Sequence, residues 1–574
     1  MAVDKKPLGT ENIPDIITSG NSLEVEVEPS REDLVREAAE ILVTEEGILI
    51  DDEITEEPAE PAMAFDANLV EFLDDSDLGR LAMDVISSIK GDKESRSEWE
   101  KTYVDALKYL GMKFDDTRSQ PFEGSTGVIH PILAESVTQF QSQAYKELLP
   151  PKGPVKTEIV GARTPEVENQ AERVAEFMNY YLMNVMQEFD PELDMLLFYL
   201  PLAGSAFKKV YYDTTLNRAM CKFIAPEDLI VPYESTDLTS AERVTHVLSM
   251  SKNEIKKQQL SGFYANIDLK GDSFSLDRDE IEEQIDKIEG LKPGYRESRD
   301  HVVYEVHTIL DLPGFEDVDD AGRPTGLKLP YTIDESSQTV LSIRRNYVEG
   351  DPYKNKINYF VQYKFLPGLG FYGLGLGHMI GGLAKASTSI LRQLIDAGTL
   401  ANLPAGFKAR GMRIRDESEP LQPGEFRDID STGASLRDNL IPLPIKEPSN
   451  VLMQLLGLLV QSGQRFASIA DMQIGDMNQA MPVGTTVALL ERGTKVMSAI
   501  HKRLHYSQRV EFQLLAQVFS EYLPPSYPYA TGTGVQEVLN ADFDGRVDVV
   551  PVSDPNIFSQ SQRITMAQEL LTMV

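Results

Sequence analysis

Three short stretches of the sequence contain residue types that could perform chemistry. Residues 368–373 read Gly-Leu-Gly-Phe-Tyr-Gly, which matches the Gly-x-Gly-x-x-Gly pattern of dinucleotide-binding loops. Residues 493–495, Gly-Thr-Lys, have the residue types of a phosphate-binding loop. His501 and His505 are spaced as two zinc ligands on one helix face would be. These stretches define an enzymatic alternative: a nucleotide-binding or metal-dependent enzyme that uses the region from Gly368 to Gly373 or the region around the two histidines.

None of these stretches completes its pattern. A phosphate-binding loop has four residues between its first glycine and Gly-Lys-Ser/Thr, but eight separate Gly484 from Gly493, and threonine precedes lysine here. The zinc-protease pattern needs glutamate directly after the first histidine, where this chain has Lys502. A dinucleotide site needs an acidic residue on a second parallel strand about 20 positions further on, and that position lies in a predicted helix. We therefore expect that the chain is not an enzyme and has no catalytic residues, no metal site and no cofactor.

Structural roles account for the same residues. Residues 368–373 lie between a strand pattern and a helix pattern, so we expect flexible glycines at the foot of a helix. His501 and His505 are expected on a helix surface with basic side chains, because Lys502 and Arg503 between them would repel a metal cation.

The bulk composition limits the partners of the chain. With 574 residues, 41% of them hydrophobic, it can bury a sizeable core, but its formal net charge of −36 argues against a surface that binds nucleic-acid phosphates. The single cysteine, Cys221, excludes an internal disulfide framework and fits a reducing compartment such as cytoplasm. We expect no signal peptide, because residues 1–7 have no apolar run after their lysines. We expect no membrane partner, because the most apolar window, residues 451–460, is about half the ~20 residues that cross a bilayer. This window is predicted to be a buried helix.

The order of predicted elements changes along the chain. Residues 1–65 contain 18 acidic and 4 basic residues, a composition that favours a mobile arm. Helical periodicity then runs from residue 67 to about 200, and a region rich in β-branched and aromatic residues follows from about 205 to 367. Four strands are predicted there (AFKKVYYD, HVVYEVHTILDL, TVLSIRRNY and INYFVQYKFLPG), with two helices between them (SKNEIKKQQL and DRDEIEEQIDKI).

The last third of the chain is predicted to be mainly helical. Two helices, at about 374–403 and 449–471, bracket a segment rich in proline and glycine. From residue 485 to 523 no proline intervenes, which predicts one helix of about 58 Å at ~1.5 Å per residue, unless Gly493 kinks it.

This order of elements resembles that of the portal proteins of tailed bacteriophages, the head-to-tail connectors, and most of all those of short-tailed phages. The likeness extends from about residue 75 to the end. It includes the amino-acid sequences of several segments: HPILAESVTQFQSQAYKELLPPKGPVKTEI, PEDLIVPYESTDLTSAERVTH, PGLGFYGLGLGHMIGGLAKASTSILRQLIDAGTLANLPAGFKARG, PGEFRDID, PLPIKEPSNVLMQLLGLLV, PVGTTVALLERGTKVMSAIHKRLH and VVPVSDPNIFSQSQRI. The acidic arm, residues 1–65, lies outside this likeness.

The resemblance implies an α+β, mainly helical portal fold that assembles as a ring. Its parts would be a wing with a helical and then a β-containing part (66–370), a stem helix (371–403), a clip (404–448), a second stem helix (449–471), a tunnel loop (472–484), a long wing helix (485–524) and the start of a crown or barrel (525–574).

The resemblance also implies a function without chemistry. A portal ring, usually of twelve subunits, occupies one capsid vertex, and double-stranded DNA is packaged and ejected through its channel. The implied partners are further copies of the chain, major capsid protein, scaffolding protein, terminase, a tail adaptor and the passing DNA. The implied location is the virion, after synthesis in the cytoplasm of a bacterial host.

Two groups of residues follow from this resemblance. The clip, which would dock the terminase and the tail adaptor, concentrates positive charge at Lys408, Arg410, Arg413 and Arg415. The channel-facing tunnel loop would present Met472, Gln473, Asp476, Met477, Asn478, Gln479 and Met481. These loop residues include neither basic nor aromatic side chains, so they can touch DNA only weakly.

Overall fold

The computed structural model describes residues 64–111, 125–269, 280–290, 300–318, 323–402, 406–408, 413–414, 429–430, 440–442, 447–467, 483–531 and 534–552. It is a mixed α/β protein, about 48% helical and 22% strand. The predicted arm, residues 1–65, lies almost entirely outside the described residues. In the described ranges, the helices all lack a stretch that is long and apolar enough to cross a membrane.

The helices of the described ranges are, in chain order, α1 (Asp75–Ser95), α2 (Ser97–Lys108), α3 (Ile132–Leu148), α4 (Pro165–Tyr180), α5 (Phe189–Ala203), α6 (Lys252–Leu260), α7 (Glu280–Glu289), α8 (Leu376–Asn402), α9 (Asn450–Ala467) and α10 (Val483–Tyr522). The strands are β1 (Val155–Ile159), β2 (Ser205–Asp213), β3 (Arg218–Ile224), β4 (Leu229–Ile230), β5 (Arg243–Ser251), β6 (Asp300–Leu310), β7 (Leu329–Ser336), β8 (Thr339–Arg345), β9 (Phe360–Lys364), β10 (Gly406–Lys408), β11 (Arg413–Ile414), β12 (Ile429–Asp430), β13 (Leu440–Pro442), β14 (Ser526–Thr531), β15 (Gly534–Leu539) and β16 (Val547–Pro551).

Local signals explain where several helices begin and end. The Thr164 side chain accepts a hydrogen bond from the Val167 amide, and Pro165 occupies the first turn of α4, where its missing N–H costs nothing. Helix α6 begins with a complete capping box between Ser251 and Glu254. Helix α5 ends at Gly204, whose φ of 90° is left-handed and therefore favours glycine.

Two antiparallel sheets form the middle of the chain. Strands β4 to β8 follow one another in a five-stranded meander, and β3, β2 and β9 form a separate three-stranded sheet in that order. In the smaller sheet Ser205 of β2 lies opposite Lys364 of β9. The four predicted strands are confirmed as β2, β6, β8 and β9, and the two predicted helices as α6 and α7. Strands β3, β4, β5 and β7 of this region were not predicted.

The described residues contain two main hydrophobic clusters. The larger joins helices α2 to α5 to the three-stranded sheet, to the first half of α8 and to the second half of α10. The smaller lies between the five-stranded sheet, α1 and a short 3-10 turn at Leu69–Phe72. The larger cluster therefore ties the stretch after residue 500 to helices from the first third of the chain.

The end of the described chain packs against β1 and α4. Strand β16 pairs antiparallel with β1, with Val155 opposite Pro551. The ring of Phe177 in α4 makes edge contacts with Tyr527 and Tyr529 in β14. Residues 526–552 thus pack against the predicted wing, and the assignment of 525–574 to the start of a crown stays a prediction.

The predicted long helix is one helix, α10, which passes through residue 493 without interruption. Its 40 residues span about 60 Å at ~1.5 Å per residue. Helices α8 and α9 lie within the two predicted stem segments. Between them, β10 pairs with β13 and β11 pairs with β12, so the described parts of the predicted clip are two nested antiparallel strand pairs.

Candidate functional site

Helices α8 and α9 form a pair that is half-buried or exposed over much of its length. The first half of α8 is anchored in the larger core through Leu376, Ile380 and Ala384. From residue 391 to its end every residue of α8 is half-buried or exposed, and this half leads towards the nested strand pairs. Helix α9 packs along α8. Near its end Gly463 lies so close to α3 that an added Cβ would be 2.3 Å from a methyl carbon of Ile132.

Helix α9 exposes several large apolar side chains that the described residues do not cover. It carries no charged residue from position 450 to 463, and in that described stretch only Gly463 is buried. Val451 is 70% exposed, Leu455 41% and Leu458 61%. These three residues share one helix face at spacings of four and three, and we call them the apolar stripe. Met453, on another face, is 67% exposed.

The apolar stripe is distinct from the face with which α9 packs on its neighbours. Leu452, Leu456 and Leu459 are half-buried and lie about 100° around the helix from the stripe, at 3.6 residues per turn. Gln454 and Gln461 are exposed on a third, polar face. The prediction that residues 451–460 form a buried helix is therefore wrong for the single chain. A helix with two apolar sides and one polar side is suited to contact two protein neighbours.

The residues predicted for the clip and the tunnel loop are described only in part. Lys408 lies in β10 and Arg413 in β11, which belong to two separate strand pairs. Arg410 and Arg415 lie outside the described residues. So do all seven predicted tunnel-loop residues: Met472, Gln473, Asp476, Met477, Asn478, Gln479 and Met481. Their assigned roles stay predictions.

The glycine-rich stretch 368–373 is a packed loop in this structure. Tyr372 is buried, its ring stacks on Trp99 at 4.7 Å between centroids, and its hydroxyl accepts a hydrogen bond from Arg96 at 2.9 Å. A Cβ added to Gly373 would lie 2.3 Å from the carbonyl oxygen of Gly204. The preceding strand, β9, belongs to an antiparallel sheet, whereas a dinucleotide fold needs a parallel one. The glycines thus permit two backbone segments to touch, and protein atoms fill the space that a phosphate would need.

Replacing Gly373 by alanine should reduce the free energy of unfolding by about 1–3 kcal/mol, because the new methyl group overpacks a closed backbone contact. The matched control is Gly382→Ala in α8, where nothing lies within 4 Å of the added carbon. That variant should be as stable as the parent or more stable by up to about 1 kcal/mol, since alanine favours helix. Chemical denaturation followed by circular dichroism measures both. Equal stability of the two variants would mean that the Gly204–Gly373 contact is not closed in solution.

His501 and His505 are buried against α3, and the prediction of a basic helix surface is wrong for both. They are 7% and 6% exposed, whereas Lys502 between them is exposed. His501 Nδ1 makes a short contact with the Glu147 carboxylate, and His505 Nε2 lies 3.7 Å from Oε1 of the same carboxylate. Burial alone would raise the pKa of Glu147, but the two imidazoles lower it to about 2.

The histidines are thus part of a contact between α3 and α10. Within the described residues, no group of three or more His, Cys, Asp or Glu side chains is arranged to hold a metal ion. The geometry of the glycine-rich loop and of the histidines therefore gives the enzymatic alternative no support.

A buried ion pair that the sequence did not reveal fastens α10 to the three-stranded sheet. Lys208 Nζ of β2 lies 2.9 Å from Glu511 Oε1 of α10, and both side chains are at most 1% exposed. The Tyr363 hydroxyl of β9 donates a short hydrogen bond to the other oxygen of Glu511. Cys221 is buried nearby, and burial raises the pKa of its thiol, which leaves it unreactive. The sequence did not predict this ion pair, because a lysine in a strand usually faces solvent.

A second buried ionic cluster joins the two sheets. Lys209 Nζ of β2 lies 2.6 Å from both oxygens of Glu305 in β6. His246 Nδ1 and His307 Nε2 lie 3.2 and 2.9 Å from the same carboxylate. Burial alone would raise the pKa of Glu305, but Lys209 and the two imidazoles hold it well below its usual range. These charges are satisfied by one another, so the cluster fixes the sheets rather than offering a site.

A scan of the chain against protein-family models finds no match, and a search of the curated proteins finds no relative.

Proposed function

We propose that the chain is a portal protein: a subunit of a ring at one capsid vertex, through which double-stranded DNA is packaged and ejected. In this proposal the α8–α9 pair is the stem, the nested strand pairs belong to the clip that docks terminase and tail adaptor, and α10 belongs to the wing. The ring has no chemistry of its own. The subunit number of twelve and the partners capsid protein, scaffolding protein, terminase and adaptor come from the resemblance.

The exposed apolar stripe of α9 is the observation that carries the proposal. Val451, Leu455 and Leu458 together expose an uncharged apolar surface, which costs about 25 cal/mol for each Å² that stays in contact with water. A second copy of the chain offers a matching occupant, because neighbouring stems in a ring meet through repeated contacts between different faces of the same helix pair. The polar face with Gln454 and Gln461 is then free to line the channel.

The sequence of structural elements supports the same proposal. A helix anchored at one end, two nested strand pairs, a second helix along the first, and then a 40-residue helix follow one another from α8 to α10. In the family that the sequence resembles, this is the order of stem, clip, stem and wing helix. An enzyme domain would need a pocket with convergent polar groups along this stretch, whereas α9 presents the exposed apolar stripe.

The charge of the chain suits a conduit for DNA. Each subunit brings a formal charge of −36, so a ring of copies repels the DNA phosphates overall. At physiological salt the repulsion acts over about 8 Å, which confines it to DNA close to the wall. DNA can therefore slide past an acidic or neutral surface without the phosphate contacts that would hold it.

The mass of the assembled protein tests the proposal in solution. Native mass spectrometry of the purified full chain should give a closed oligomer of many 64.1 kDa subunits, twelve if the resemblance holds in detail. The oligomer should withstand added salt, because ions do not screen apolar stem contacts. A monomer at micromolar concentration, in physiological salt and with the apolar stripe intact, would argue against the proposal.

A further inference from the structure

Several exposed basic residues lie where α3, β1 and α10 meet, on a surface that the proposed function does not use. On α10, Lys502, Tyr506 and Arg509 follow one another at spacings of four and three residues, so they share one side of the helix. All three are exposed, and Tyr506 is 70% exposed. Lys146 near the end of α3 and Lys152 in the turn after it are exposed as well.

Contacts between these elements bring their basic residues together. The side-chain amide of Gln508 in α10 donates a hydrogen bond to the Leu148 carbonyl oxygen at the end of α3, at 3.2 Å. One residue further along α10, Arg509 makes a short ion pair with Asp548 of β16, the strand that pairs with β1. The end of α3, the strand pair and the middle of α10 are therefore neighbours.

Lys156 of β1 lies on the side of the strand pair that faces α10. Opposite residues of an antiparallel pair share a face, and Glu158 lies opposite Asp548, whose carboxylate contacts Arg509. Lys156 is two residues from Glu158 and thus on the same face, and its side chain is 62% exposed. The set that we call the basic face consists of Lys146, Lys152, Lys156, Lys502, Tyr506 and Arg509.

The positive charges of the basic face exceed the negative ones beside it. Lys146, Lys152 and Lys502 make no ion pair within the described part of the chain. The other two basic residues have one carboxylate partner each, Glu158 at 4.0 Å and Asp548 in a shorter contact. The chain as a whole has a formal charge of −36, so this surface differs in sign from the average of the molecule. Such a concentration of charge attracts a partner of opposite sign and orients it during its approach.

We propose that the basic face docks a short acidic segment of a protein partner. Carboxylates of the segment would accept hydrogen bonds from the ammonium groups of Lys146, Lys152 and Lys502. An apolar side chain between these carboxylates would lie against the ring of Tyr506, whose hydroxyl can donate to a further carboxylate. An exposed tyrosine suits this role, because it offers apolar area and a donor at a low cost in conformational entropy.

The extent of the basic face and the charge around it favour a short protein segment over nucleic acid. From Lys502 to Arg509 the face is about 10 Å long at ~1.5 Å per residue, which three or four residues of an extended segment cover at ~3.3 Å each. A DNA duplex carries one charge for each ~1.7 Å and continues past the face, where the net negative charge of the chain repels it. A short acidic segment contacts the basic face alone.

Fluorescence anisotropy of the full chain with a labelled octapeptide tests the proposal. The acidic peptide has six glutamates around a central Leu-Phe, and its matched neutral version has six glutamines in their place. At low salt the parent should bind the acidic peptide at least tenfold more tightly than the neutral one, because unscreened cations attract only the acidic peptide. A short DNA duplex is the nucleic-acid probe, and it should bind more weakly than the acidic peptide.

A matched pair of double variants locates the binding surface. Lys152→Glu with Lys502→Glu reverses two charges of the basic face and should weaken binding of the acidic peptide at least tenfold. Lys252→Glu with Lys328→Glu makes the same change of net charge at two exposed lysines elsewhere, and it should bind within twofold of the parent. Tyr506→Ala should bind several-fold more weakly and fold as the parent does, because its ring is largely exposed. Circular dichroism checks the folding of every variant.

Three results would overturn the proposal. The parent could bind the two peptides equally or bind neither of them. The two double variants could weaken binding to the same degree, which would assign the attraction to the net charge of the chain. The DNA duplex could bind more tightly than the acidic peptide, which would assign the basic face to nucleic acid.

Discussion

Replacing Glu511 by alanine should reduce the free energy of unfolding by about 3–5 kcal/mol, because it leaves the Lys208 ammonium buried without a counter-charge. The same change removes the acceptor of the Tyr363 hydroxyl. Helix α10 would lose its polar attachment to the three-stranded sheet, although Phe512 and Leu515 would still pack in the larger core. Urea denaturation of dissociated subunits, followed by circular dichroism, measures the difference.

The control for this prediction is Glu521→Ala on the same helix. Glu521 is exposed, and its loss should change stability by no more than about 0.5 kcal/mol. If Glu511→Ala reduces the free energy of unfolding as little as the control does, the buried ion pair does not fasten α10 to the sheet. Glu511→Gln removes the charge of the side chain but keeps its shape. Because it preserves an acceptor for the Tyr363 hydroxyl, it should reduce the free energy of unfolding by less than Glu511→Ala does.

Placing two glutamates on the apolar stripe, Leu455→Glu with Leu458→Glu, should abolish ring assembly while the subunit stays folded. Both side chains are exposed in the single chain, so the new carboxylates do not disturb its core. Between subunits they would be buried without partners, at a cost of several kcal/mol per ion, and the penalty recurs at every interface of the ring. Sedimentation velocity should show monomers in place of the oligomer.

A second double variant controls for added charge. Leu260 and Val535 are both 80% exposed and lie away from the α8–α9 pair, so Leu260→Glu with Val535→Glu adds the same two charges elsewhere. This variant should assemble as the parent does. Intact rings from the stripe variant would contradict a subunit interface through the apolar stripe. Loss of rings in both variants would show that added charge, and not its place on the stripe, prevents assembly.

The sequence predicted those elements whose signals are local. Pro165 with its Thr164 cap marks the start of α4, and the four strands with a dense run of β-branched and aromatic residues all form. The strands that the sequence did not predict have weaker runs of β-branched and aromatic residues. Strand β3 contains two charged residues, Arg218 and Lys222. Strand β7 begins at a leucine followed by a proline, Pro330, a residue that argues against a central strand.

The burial of individual residues could not be predicted, because it depends on contacts between distant segments. His501 and His505 look like surface residues beside Lys502 and Arg503, and only the approach of α3 with Glu147 buries them. The converse holds for α9. Its apolar run predicts burial, but the described residues of the single chain cover one of its faces only. The periodicity of a sequence shows which face of a helix is apolar. It does not show whether the residues that cover this face belong to the same chain.

A three-dimensional reconstruction by electron cryo-microscopy of the purified, assembled protein tests the central claim most directly. We expect a closed ring with a central channel and with the α8–α9 pairs around its wall. The apolar stripe of α9 should lie against the neighbouring subunit, and Gln454 and Gln461 should face the lumen. A particle without a central channel, or a ring in which Val451, Leu455 and Leu458 face solvent, would contradict it.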